Sequence, residues 1–576
     1  MESTFTPHLR TNYVPSKSEV EQIREHLSKP LEEHTRLKEK IVRFQAILDD
    51  LHEQRNKLDV HIQDHLALIS GARRLPHDVV REIFCCCLPT DRNAVMSATE
   101  PPLLLGRICS DWRKIALSTP NLWASLHIHV PHCREPAHYS KWGLIAEAVK
   151  HWLELSGSLP LSISAACPPF LGRQVDRQTS LGITYFLNVL TRHTHRWEHI
   201  DFTFPLPELV TAVALLTEAD VPMLKSVILE STVFNDIISG DQWPPLISFL
   251  NTPTIREVSI LSFKHTAYLR PLPWSQLTGL YLESGLGPWD NALSETAALN
   301  ILKQCPMLVK CKLFIESDPV SPVPHPVAQG IMLPHLRSLI LVEGTDDAMT
   351  PQFVNCLGFP GLTYLGFRRF SNSHVSHLPF ALLNFFKREN KIEELELGLE
   401  AISPPDLMQC FKLAKNIKRL TLNAPERLWG YPANPALTDH TLDILSPSYG
   451  DDELHCPALE EITLRSCREL SDAKILSFLR ERTDPANTAD GMVILKRATF
   501  TINREMMTDI MPGSQPMIAN GLNLDLKYIP PPLELDPEVT EVSDGPRLKV
   551  SYITWVPDQF FSPFRGLRKR TMNTLV

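Results

Sequence analysis

The sequence predicts a mixed α/β chain: a long N-terminal helix, then a short helical module, then a solenoid of strand-bearing repeats. Three observations carry this. Apolar residues from Leu37 to Ile69 recur at alternating steps of four and three. Two short amphipathic segments follow, separated by a linker that holds Pro101 and Pro102. Beyond them, the pattern apolar-x-x-apolar-x-apolar returns again and again.

Composition sets the frame. With 576 residues and 43% hydrophobic content, the chain can bury a substantial core. A net charge of -9 and an isoelectric point near 6.2 provide no overall basic field, which argues against nucleic acid or an anionic membrane surface and for protein partners. No run approaches the 18 apolar residues of a membrane span, and Met1 to Gln22 contain no apolar core of signal-peptide type. The expectation is a soluble intracellular chain, cytoplasmic and/or nuclear. Twelve cysteines without a CxxC pair suit a reducing compartment. Proline (48) outnumbers glycine (23) about twofold, which favours many short elements punctuated by turns.

Residues 1–15 read as a disordered tail. Over 16–70, Leu37, Ile41, Phe44, Leu48, Leu51, Leu58, Ile62 and Ile69 line one helical stripe, interrupted by Arg55 and His65. Lys38, Glu39, Arg43, Asp49, Asp50, Glu53 and Lys57 occupy the rest. Such a stripe suits a coiled-coil homodimer, or one amphipathic helix packed along its own protein. In 71–126, Pro76 fits the first turn of a helix. At 100° per residue, Leu75, Val79, Val80, Ile83, Phe84, Cys87 and Leu88 share an apolar face opposite Asp78, Arg81 and Glu82, and Pro89 stops the helix. By the same spacing Cys85, Cys86 and Cys87 diverge too far to chelate one ion, and Cys87 is expected to face inward. A second helix places Ile108, Cys109, Trp112, Ile115 and Ala116 on one face and ends at Pro120.

"LPHDVVREIF" followed by "ICSDWRKIALSTPNLW" resembles an F-box, the helical module by which substrate receptors hold the Skp-type adaptor of SCF ubiquitin ligases, in the layout of the fungal, mushroom-type members. The resemblance covers residues 30 to 130. It implies adaptor contacts from Leu75, Pro76, Val79, Val80, Ile83, Phe84, Leu88, Ile108, Trp112 and Ile115, and a cullin bound through the adaptor.

Residues 127–195 read as a connecting segment and 196–530 as the repeat array. The six-residue pattern starts at Trp197, Leu224, Ile255, Leu277, Leu308, Leu336, Leu362, Ile392, Ile417, Leu459 and Leu495, at separations of 22 to 42 residues. It resembles a degenerate leucine-rich repeat, with Cys467 in "LEEITLRSCRELSD" matching the cysteine-containing class. That resemblance implies a horseshoe with one strand per repeat lining the concave face. The residues between the apolar ones, Lys310, Lys312, Tyr364, Arg368, Glu394, Glu396, Arg419, Thr421, Glu461, Thr463 and Arg465, would then face a protein target, or plain solvent. In 531–576, an acidic, proline-rich stretch precedes the basic "RGLRKR".

No Gly-rich phosphate loop, GxSxG elbow or HExxH helix is present in the sequence. His127, His129, His132 and Cys133 come nearest to a metal set, followed by His193, His195 and His199; satisfied surface or core histidines account for both groups more simply. The expectation is a chain with no cofactor, no metal and no catalytic residue. The two functions compatible with this are an SCF substrate receptor and a leucine-rich-repeat scaffold that dimerises through its first helix without ubiquitin transfer.

Overall fold

Ser16 opens the first helix with a reciprocal cap: its Oγ accepts the Glu19 N–H at 3.4 Å while the Glu19 carboxylate accepts the Ser16 N–H at 2.7 Å. From there α1 runs Lys17–Leu68 without interruption, through Pro30, and none of its residues is buried. A short 3-10 turn, Thr6–His8, precedes it in the stretch expected to be a tail. The computed structural model describes residues 4–130, 140–167, 177–231, 248–261, 272–283, 293–316, 330–343, 351–369, 382–388, 391–399, 402–424, 437–447 and 454–529. The acidic, proline-rich stretch, the "RGLRKR" cluster, His132 and Cys133 lie outside these residues.

The chain divides into two units, Met1–Ile83 and Phe84–Val576, with the division inside α2 (His77–Cys86). In the second unit the helices are α3 (Leu105–Ile108), α4 (Ser110–Leu117), α5 (Ser140–Leu155), α6 (Arg177–Thr191), α7 (Leu206–Val213), α8 (Glu295–Gln304), α9 (Pro351–Asn355), α10 (Leu383–Arg388), α11 (Pro404–Leu413), α12 (Asp439–Ile444), α13 (Asp472–Thr483) and α14 (Met511–Ala519). The strands are β1 (Ser125–His129), β2 (Leu161–Ala166), β3 (Trp197–Phe204), β4 (Ser226–Ser231), β5 (Glu257–Leu261), β6 (Gly279–Glu283), β7 (Leu293–Ser294), β8 (Lys310–Glu316), β9 (Ile331–Met332), β10 (Ser338–Glu343), β11 (Leu357–Gly358), β12 (Tyr364–Arg369), β13 (Glu394–Gly398), β14 (Arg419–Asn423), β15 (Glu461–Cys467), β16 (Arg497–Ile502) and β17 (Asn523–Tyr528).

Fifteen strands form one sheet in chain order, β1 to β6, then β8, β10 and β12 to β17, with β7 beside β8; β9 and β11 pair separately. Every strand pairing among the described residues is parallel. Parallel neighbours need a crossover between them, which the helices and 3-10 turns supply. Each of the ten repeat starts from Leu224 to Leu495 lies two residues ahead of its strand. The sheet extends ahead of residue 196: β1, in what reads as the end of the helical module and the start of a connecting segment, pairs with β2, and β2 pairs with β3 with a register shift between Leu161 and Ser162.

Alternation sorts the side chains. On one face Leu126, Ile163, Ile200, Val227, Val258, Leu280, Cys311, Leu339, Leu365, Leu395, Leu420, Ile462 and Ala498 form a continuous buried row from strand to strand. The core lies between that face and the buried stripes of the crossover helices, such as Ala298 and Leu302 of α8, Leu407 and Phe411 of α11, and Ile475, Phe478 and Leu479 of α13. Buried arginines tie crossovers together through carbonyls: Arg482 donates to Leu445 O at 2.8 Å and to His455 O and Cys456 O at 3.1 and 3.2 Å. Arg196 donates to Leu159 O at 2.9 Å.

Candidate functional site

Two regions hold the residues that the sequence singles out. In the first unit, Leu75, Val79 and Ile83 are 36, 43 and 42% exposed, and Pro76 is exposed as well, whereas Val80 is buried. Asp78 and Arg81 pair at 2.7 Å one turn apart. The helix therefore has two apolar sides, one covered and one open to solvent. In the second unit Phe84 is fully buried and meets Trp112 edge to face at 4.9 Å. Leu88 and Trp112 are half-buried, Ile115 is buried, and Ile108 is 56% exposed.

Two local expectations change. Cys87 is exposed and Cys85 half-buried, the reverse of the placement by 100° steps. α2 ends at Cys86, and Cys87 N–H bonds to Phe84 O and Leu88 N–H to Cys85 O, so the 100° spacing of an α-helix does not carry through to Cys87. Ile108 and Cys109 also leave the face they were assigned to. Cys109 is extended, its Sγ accepts the Trp112 N–H at 3.4 Å, and it starts α4 as a cap between two separate helices. The closing "STPNLW" holds α4 from below: Thr119 Oγ1 donates to Ile115 O at 2.6 Å and Trp123 Nε1 to Ala116 O at 2.8 Å.

The second region is the other face of the sheet. The register brings all the predicted recognition residues onto it. Lys310, Tyr364, Glu394, Arg419 and Glu461 lie in one row, with Lys312, Glu396, Thr421 and Thr463 in the next. Arg368 and Arg465 lie two residues further along their strands. The first row is not a set of independent charges. Glu394 and Arg419 form an ion pair, Arg497 stands 3.6 Å from Glu461, and the hydrogen bond that Arg419 donates to Glu394 holds its guanidinium above its usual range. At the strand entrances Lys225–Glu198, Lys418–Glu393 and Lys496–Glu460 pair at 2.6, 2.8 and 2.9 Å.

Glu396 differs from its neighbours because it is buried, not exposed as its place in the pattern suggests. Tyr364 Oη donates to its Oε2 at 2.6 Å, Asn423 Nδ2 to its Oε1 at 3.0 Å, and Arg465 stands 3.8 Å away. Gly366 makes room: a Cβ there would sit 3.1 Å from Ile340 and 3.5 Å from the Tyr364 ring. Burial raises the Glu396 carboxyl above its ordinary value, partly opposed by the Tyr364 and Asn423 hydrogen bonds and by Arg465 and Lys312. Burial likewise raises the Tyr364 phenol, with the Glu396 charge adding to it. The cluster is a polar, desolvated patch suited to hydrogen-bonded recognition. Asn423 was not anticipated, because it falls one residue beyond the six-residue pattern that starts at Ile417.

His127 and His129 share this face with rings 4.4 Å apart, and His127 Nδ1 lies 2.8 Å from Ser164 Oγ. Among the described residues no group of three His, Cys, Asp or Glu side chains is placed to hold a metal ion. His193 is half-buried and lowered by burial and by Arg196, in keeping with a packed histidine. Burial raises the thiols of Cys305, Cys456 and Cys467 to about 12 and those of Cys311 and Cys410 well above their ordinary range, which leaves them unreactive. Among the described residues no helix is long and apolar enough to cross a membrane.

No family model matches the chain, and no curated protein matches it. Among solved structures it is similar to a crystal structure of a Bacteroides fragilis protein, at 12% identity and a TM-score of 0.24, over 56% of this chain and 63% of that one.

Proposed function

We propose that this chain is the substrate-recognition subunit of an SCF-type ubiquitin ligase. Its F-box-like segment would hold a Skp-type adaptor, and through it a cullin, while the polar face of a leucine-rich-repeat-like array, taken as the concave side, would bind a protein target. The observation that carries the reading is the open apolar side of α2: Leu75, Val79 and Ile83 stay exposed on a helix whose Val80 and Phe84 are already buried. Exposed apolar residues grouped on one helical face mark a place for another protein. In the first unit the adaptor contacts accordingly narrow to Leu75, Pro76, Val79 and Ile83, with Val80 serving the packing. The reading places the protein in the cytoplasm and/or nucleus.

No residue of this chain is catalytic in that role. It supplies proximity, holding a target lysine near activated ubiquitin so that transfer becomes effectively intramolecular. The test is co-purification of the full chain with a Skp-type adaptor. Val79→Asp and Ile83→Asp, both at exposed positions, are expected to abolish capture while leaving the circular dichroism unchanged. Undiminished capture by both variants would refute this contact.

A further inference from the structure

The geometry points to a parallel, in-register coiled coil between α1 and α1 of a second copy of this chain. This goes beyond the receptor reading and does not depend on it. The heptad that starts at Leu37 extends back along the same stripe through His34, Pro30, Leu27, Ile23 and Val20, so it spans α1 from its first turn, about 78 Å at 1.5 Å per residue. Its apolar members are not used within the chain: Leu37, Ile41, Phe44, Leu48, Leu51, Leu58 and Ile62 are all exposed. A stripe this long facing water has no stabilising role in a lone helix; against an identical stripe each residue enters a hole formed by four others.

Two independent features choose the partner and its direction. First, with Ile41 at position a, the a set includes the β-branched Val20, Ile41 and Ile62, while Leu37, Leu51 and Leu58 fall at d, the combination that favours parallel two-stranded coils. Arg55 and His34 at a are the polar interruptions that fix register at a cost in stability. Second, the flanking charges complement a parallel copy. Each g residue faces the e residue five positions on in the partner, which places Glu19 by Arg24 and Glu33 by Lys38, with no like-charged pair along the helix. Running antiparallel at full overlap, Glu33 would face Gln54 and Lys38 would face Gln45, leaving Arg24 with Asp59 as the one attractive pair.

The experiment measures the mass of the full chain by sedimentation across a dilution series. About twice the 65.2 kDa of one chain is expected, falling to one chain in Ile41→Asp/Leu48→Asp, whose positions are exposed and whose helix content should be retained. At low salt, Glu33→Lys should weaken self-association roughly tenfold, and Glu33→Lys/Lys38→Glu should restore it, while Asp59→Lys should be nearly silent. A wild-type monomer at all concentrations overturns the pairing. Weakening by Asp59→Lys with Glu33→Lys silent overturns the parallel direction.

Discussion

Two buried carboxylates of the repeat array carry opposite electrostatic signs, and each shows what its surroundings are built for. Burial pushes the Asp472 carboxyl up, but the hydrogen bonds outweigh it and the net value falls below the ordinary 3.8. Arg504 Nη2 donates at 2.6 Å, the Thr508 and Met507 N–H groups at 2.8 and 3.0 Å, and Tyr528 Oη at 3.0 Å. Around Glu396 burial wins instead and the carboxyl is raised. For Asp472 the depressed value means stability present above 3.8 and lost as pH falls through its lower folded value; for Glu396 the raised value means stability lost as pH rises above 4.5. Urea unfolding should therefore show Asp472→Asn losing about 3 kcal/mol at pH 7, with the deficit shrinking toward pH 3. Glu396→Gln should gain on the parent protein as pH rises above 4.5, because the amide carries no charge to bury. A deficit for Glu396→Gln that persists at pH 8 would show that its hydrogen bonds repay its burial, making it a structural residue like Asp472. A carboxylate retained at a cost in stability is instead what a recognition site requires.

At the scale of elements, what the sequence discloses is the strand and what it hides is the exception to the strand pattern. Leu224, Ile255 and their successors each announce a strand two residues on, because the first apolar residue anchors the crossover and the next two face the same core. Within the main row of the sheet, three of the described strands escape the pattern for identifiable reasons. In β2 the first apolar position is Pro160, in β17 it is Gly521 at φ +106, and in β1 it is Trp123, which also belongs to the motif that closes the helical module. Face assignment was legible because the period is two; pairing between strands was not, because it depends on register. That is why Lys310, Glu394, Arg419 and Glu461 read as exposed charges awaiting a partner, when Glu394, Arg419, Glu461 and Arg497 already lie next to one another. A half-exposed ladder of this kind contributes little and is screened by salt. Arg419→Glu, which sets like charges beside Glu394 and Glu461, should lower the unfolding free energy by less than about 1 kcal/mol at low salt, and the loss should fade in 1 M salt. A larger, salt-independent loss would assign Arg419 a packing role.

Over the second unit as a whole, the array is one-dimensional: each strand of the long sheet is paired only to its neighbours in the row, so the ends decide how the row is sealed. A bare edge strand offers unpaired N–H and C=O groups to other chains. At the β1 end that edge is covered by the linker between α2 and α3. His127 N–H donates to Ala94 O at 2.6 Å, and Val95 forms a parallel bridge with His127. Asn93 is the pin. Its Nδ2 donates to Ser164 Oγ at 2.9 Å, while its Oδ1 accepts from Ser125 Oγ at 3.0 Å and Ser162 Oγ at 2.8 Å, tying the linker to both β1 and β2. Part of the linker thus serves the sheet, a role that its polar sequence, "TDRNAVMSATEPP", does not suggest. Asn93→Ala leaves three half-buried or buried serine hydroxyls without this partner and should cost about 1–3 kcal/mol. Because coupling in such a row passes only from neighbour to neighbour, the loss should be local. Amide exchange should accelerate in Ser125–His129 and Leu161–Ala166 and stay unchanged in Glu461–Cys467 and Arg497–Ile502. Equal acceleration in all four strands would mean that the row unfolds as one cooperative block, and that covering the β1 edge stabilises the whole array and not its first strands alone.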